Sequence, residues 1–105
     1  MKTGLNLALA FAFLALLPPS QTSATETPNL ELGKTLFHAT SLGTNGKSCA
    51  SCHPDGEGLH EIEAYDEEML REMVNFCIRD ALKGKMLPLD SQEIVSMERY
   101  LRTLD

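Results

Sequence analysis

Residues 48–58 read Ser-Cys-Ala-Ser-Cys-His-Pro-Asp-Gly-Glu-Gly, and the rest of the chain is organised around them. Asn45-Gly46 is a strong turn signal on the N-terminal side, and Pro54 to Gly58, with two glycines, makes a second loop. The two cysteines therefore sit on a short segment framed by turns. Outward from it, Leu32, Leu36, Phe37 and Ala39 recur at near-helical spacing, which predicts a first helix from Leu30 to about Thr40 with Asn29 as N-cap. Gly33 lies inside that helix. A glycine there costs about 1 kcal/mol relative to alanine, and close approach of another helix is the expected return.

Downstream, Asp66–Lys83 is the clearest amphipathic pattern: Met69, Leu70, Met73, Val74, Cys77, Ala81 and Leu82 share one face, and Gly84 is the expected stop. Pro88 blocks a continuous helix. Asp90 and Glu93 suggest a capping box for a last helix whose buried stripe is Ile94, Met97, Leu101 and Leu104. No segment alternates as a strand would, so the fold class is all-α, with about three to four helices.

The chain has 105 residues and admits one small domain. Residues 1–24 read as a signal peptide: Lys2, then an apolar run from Leu5 to Leu17 broken only by Asn6, then Pro18-Pro19 and the small residues Thr22-Ser23-Ala24. That run is shorter than the roughly 20 residues a bilayer span needs, so no permanent membrane anchor is expected. Residues 25–29 are a flexible leader, and 30–105 form the folded domain. The formal net charge is −6, and losing residues 1–24 removes one Lys and no acid, leaving −7. Such a surface disfavours nucleic acid and anionic lipid and suits a partner with a basic docking patch. The acidic run from Glu57 to Glu72 reads first as a solvated face.

A domain this small needs a staple, and the cysteines supply the candidates. Cys49-x-x-Cys52-His53 is the attachment signature of c-type haem: two thiols add across porphyrin vinyl groups, and the adjacent imidazole is placed to ligate iron. Zinc held by the two cysteines with His53 and His60, or a redox dithiol, would use the same residues. Zinc sites want a second ligand pair at a characteristic distance, and a redox Cys-x-x-Cys follows a strand; neither feature is present.

Over nearly all of its mature region the chain resembles the monohaem class I cytochromes c. The matching residues are Gly33, Leu36 and Phe37, then Gly46, then Cys49 to His53, then Gly56, and finally Tyr100-Leu101. The resemblance implies a cytochrome c-like domain wrapped around one covalently bound haem c, in which the first and last helices cross at Gly33, Phe37 and Tyr100. It implies Cys49 and Cys52 as covalent attachment points and His53 as the proximal iron ligand. Met86, in a loop near Pro88, fits the family's usual place for the distal ligand.

The segment from Cys77 to Glu93 is also similar to thiosulfate dehydrogenase-type cytochromes, in which a cysteine at this place binds the iron. On that comparison Cys77 is the distal ligand and Met86 is incidental; we place Cys77 slightly ahead, with Met86 a near-equal alternative. Only 24 positions separate His53 from Cys77, fewer than in those enzymes, which bears on catalysis more than on ligation. His60, only seven residues after His53 in a Gly-rich loop, is poorly placed to reach around a porphyrin edge as distal ligand; His38 is expected at the surface, and Met69, Met73 and Met97 as pocket or core filler. The function expected is a one-electron carrier in the periplasm or an equivalent compartment, serving redox partner proteins. The alternative is a haem enzyme or subunit in sulfur-compound oxidation, with Arg71, Arg79, Lys83 and Lys85 as its anion site.

Overall fold

The computed structural model describes residues 27–104. The signal peptide expected over residues 1–24, and the first two positions of the leader, lie outside the described residues. Among the described residues there are four α-helices and no strand: α1 (Leu30–His38), α2 (Cys49–Cys52), α3 (Glu67–Phe76) and α4 (Gln92–Leu101). None is long and apolar enough to cross a membrane.

Each helix starts where a side-chain oxygen can satisfy an orphan amide of the first turn. Asn29 accepts from Leu32 N–H (2.7 Å), as the sequence implies, and Asp66, expected as the first residue of its helix, instead caps it by accepting from Met69 N–H (2.8 Å). In α2, Ser48 and Ser51 exchange both bonds of a capping box, which fixes the four-residue turn carrying the cysteines. α4 is capped by Ser91, not Asp90: the Ser91 hydroxyl accepts from Ile94 N–H at 3.3 Å. Both residues are good caps, and the turn closed by Ser91 N–H on the Pro88 carbonyl selects the later one.

The main packing is α1 across α4. A Cβ on Gly33 would stand 2.7 Å from Tyr100 Cβ and closer still to the Ser96 carbonyl oxygen, so only glycine lets the helices approach this far. Phe37 and Tyr100 meet edge to face at 5.4 Å beside that crossing. Phe37, Ile78, Ile94 and Met97 are essentially solvent-free and form the centre of the core.

Residues 28 and 29, expected in the flexible leader, are instead tied to α4. Asn29 N–H donates to Ser96 Oγ (3.0 Å) and the Pro28 carbonyl accepts from Arg99 (3.0 Å). Ser96 is fully buried, and this bond explains a polar residue in the apolar stripe.

α3 continues into a π-helical turn, Cys77–Ala81, in which Leu82 N–H reaches back to the Cys77 carbonyl. Side chains four apart on an α-helix drift by about 40° per step, so a stripe at that spacing leaves its face after three steps. The wider π turn offsets the drift. Leu70, Val74, Ile78 and Leu82 all stay buried, while Met73, Cys77 and Ala81 all stay on one cleft. Ile78, absent from the face expected from the sequence, belongs to the core for this reason.

The stop of this segment is also unlike the expectation. Lys83, with φ +57°, takes the left-handed position, whereas Gly84 does not have a positive φ. Gly84 is needed for contact: a Cβ there would run into the Leu42 carbonyl oxygen. The loop at Thr44 and Asn45 then caps the exposed end, donating to the carbonyls of Ala81, Leu82 and Lys83.

Candidate functional site

Between α1, α2, α3 and α4 lies an apolar cleft with a cavity volume of about 110 Å³. Phe37, Leu59, Leu70, Val74, Leu82, Met97 and Leu101 line it, and its sulfur and nitrogen groups are Cys49, Cys52, His53, Met73 and Cys77. Of the five residues singled out from the sequence, four therefore share one cavity. Met86 does not.

The reason is local. Asn75, buried in α3, donates to the Leu87 carbonyl (2.7 Å) and accepts from Leu87 N–H (2.8 Å). That pair of bonds pins the 86–89 segment on a different face of α3 from the one carrying Met73 and Cys77. Met86 lies there in a groove with Glu72, Phe76 and Leu89, its sulfur 4.0 Å from an Arg79 nitrogen. An asparagine inside an otherwise amphipathic helix was the signal for this contact, because that residue disfavours helix interiors unless its amide has a partner.

His53 closes α2 as its C-cap. Its Nδ1 lies 2.9 Å from the Glu57 carbonyl oxygen. A carbonyl only accepts, so Nδ1 carries a proton, and in the neutral ring the lone pair is on Nε2. This is the arrangement that fixes tautomer and ring orientation in metal-binding histidines. The loop makes it possible: Asp55, Gly56 and Gly58 all have positive φ, which turns the chain back so that Glu57 faces the imidazole. His38 bonds its own helix and His60 is exposed; neither lines the cleft.

The three thiols are free. Burial pushes the Cys49 thiol up to about 11, with negative charge on Cys77 and Cys52 adding to the rise. The Cys77 thiol is also pushed up, first by burial and then by Asp80 and Cys52. Among the described residues no group of three His, Cys, Asp or Glu side chains is arranged to hold a metal ion by itself.

The bases near Cys77 are mostly committed. Arg79 binds Asp80 through two bonds of 2.6 and 2.8 Å and lies over the Phe76 ring at 5.0 Å. Arg71 pairs with Glu67 and with the buried Glu98, both at 3.4 Å, and Glu98 also faces Arg102. Glu98 thus joins α3 to α4, a role its place in the helical pattern did not reveal. Met69, expected as filler, is exposed and outside the cleft.

No family model matches the chain, no curated protein is detectably similar to it, and no solved structure matches its fold.

Proposed function

We propose that this chain is an exported one-electron carrier holding one covalently attached haem, with Cys49 and Cys52 as attachment points, His53 as proximal ligand and Cys77 as distal ligand. The observation that carries the reading is the convergence of three thiols and a histidine with an available Nε2 on a single apolar cleft. The residues fit the group. The cleft is lined almost wholly by carbon and sulfur, as a porphyrin face requires, and two thiols three positions apart leave the neighbouring imidazole free to bind iron.

When bound, the haem iron supplies the one-electron couple. The protein's share is then to hold and tune it. Cys49 and Cys52 fix the group by thioether bonds. The Glu57 carbonyl orients His53 and raises its basicity. Leu70, Val74, Met97 and Leu101 would exclude water, so that burial together with the ligands would set the potential. Cys77 in place of a thioether lowers the potential, since a coordinating thiol is deprotonated and stabilises the ferric form.

Cys77 is preferred over Met86 because it lines the cleft and Met86 is held outside it by Asn75 and Leu87. A carrier is preferred over a sulfur-oxidising enzyme because Arg71 and Arg79 are neutralised by carboxylates, leaving only Lys83 and Lys85 of the four bases for a substrate anion. The exported protein is tested by visible and near-infrared absorption in both oxidation states, for wild type, Cys77→Ala and Met86→Ala. Cys77→Ala alone should alter the ferric spectrum, whereas a change confined to Met86→Ala would return the distal role to the thioether. Haem that leaves the chain in acidified acetone would sink covalent attachment, and turnover of thiosulfate with a dye acceptor would sink the pure-carrier reading.

A further inference from the structure

Among the described residues, most of the large apolar side chains left in solvent gather on one side of the molecule. Met69 (47% exposed), Met73 (40%) and Phe76 (46%) stand at i, i+4 and i+7 on α3, and Met86 (43%) shares a groove with Phe76. Residues so spaced share a helix face, so Met69, Met73 and Phe76 form one strip, and Met86 adjoins it only at the Phe76 edge. Proteins that work alone rarely leave such a strip bare, and methionine suits surfaces that must adapt to a partner. Met73, in the middle of the strip, also lines the cleft.

The charges beside the strip say what it fits. Glu68 and Glu72, one turn apart on α3, are exposed and have no ion-pair partner among the described residues. Arg79, the base nearest Phe76, is neutralised by Asp80. The edge along α3 is therefore acidic. A second copy of this chain would bring like carboxylates together, and an anionic lipid surface would be repelled.

We propose that Met69, Met73, Phe76 and Met86 form the docking face for an electron-transfer protein whose own contact is apolar and edged by Lys or Arg. This rests on the carrier reading above, and it places the partner at the mouth of the cleft. Apolar contact supplies adhesion there, while Glu68 and Glu72 steer the encounter and set its orientation.

The test is the second-order rate of electron transfer, by stopped flow at several ionic strengths, from the reduced haem-containing protein to a strongly basic soluble copper protein. Replacing Glu68→Lys with Glu72→Lys should slow the reaction about tenfold at low salt and flatten its salt dependence. Phe76→Ser should slow it severalfold with the salt dependence kept. Glu31→Lys with Glu63→Lys makes the same change in net charge away from α3 and should alter the rate less than about twofold. Equal slowing by both charge pairs, or rates indifferent to Phe76 and to Glu68 with Glu72, would overturn the docking face. The absorption spectrum of each sample keeps the two readings apart: a chain without covalent haem refutes the carrier, whereas a haem-containing chain with indifferent rates refutes only the docking.

Discussion

Replacing Gly33 by alanine sets two physical effects of opposite sign against each other. Helix propensity alone favours the change by about 1 kcal/mol. The crossing of α1 and α4 opposes it, because the added methyl would stand 2.7 Å from Tyr100 Cβ and 2.8 Å from the Ser96 carbonyl carbon. Those are backbone and Cβ atoms that no rotamer change can move, so the helices must separate by roughly an ångström. Overpacking of this kind costs about 1–3 kcal/mol, and here the upper end applies. Separation also weakens the Phe37–Tyr100 ring contact, worth about 0.5–1.5 kcal/mol. With the propensity gain subtracted, Gly33→Ala should lose about 2–3 kcal/mol of stability, or on the order of 10–20 °C in Tm for a domain of this size. Denaturant unfolding of the purified haem-containing protein, followed by far-ultraviolet circular dichroism, measures it. An unchanged or raised midpoint would mean that propensity rules at this position and that the close crossing is wrong.

Asn75→Ala should cost about 2–4 kcal/mol, because it strands both the Leu87 N–H and its carbonyl; amide exchange at Leu87 should speed up more than exchange in α1. The Cys49 thiol gives a pH signature. With its folded value raised to about 11 by burial, its contribution to stability is full below the ordinary thiol range near 9 and is lost as pH rises through about 11. Unfolding midpoints of the haem-free chain should therefore fall across that window. In the haem-containing protein the same sulfur is a thioether that cannot ionise, and the fall should be missing; a fall of equal size in both forms would contradict attachment at Cys49.

The residues that were legible from the sequence are those whose partners lie within a few positions. Asn29 caps its helix because the amide it satisfies is three residues on, and Gly33 announces a close crossing because nothing local rewards it. The all-α class follows from hydrophobic spacing in the same way, and so does the Cys49–His53 segment between two turns. Choices that depend on packing were not legible. Ser91 displaced Asp90 as the cap of α4 because a turn from Pro88 fixed where the helix could begin. Gly84 proved to be a point of contact with Leu42, while Lys83 took the left-handed position. Above all, Cys77 and Met86 were nearly equal as sulfur donors along the chain. Only the folded protein separates them: a π turn keeps Cys77 in register with Met73 on the cleft, and two hydrogen bonds from Asn75 hold Met86 on a different face of α3. Residue type and local spacing decide which groups are able to bind; which of them share a cavity is a long-range property of how the helices pack.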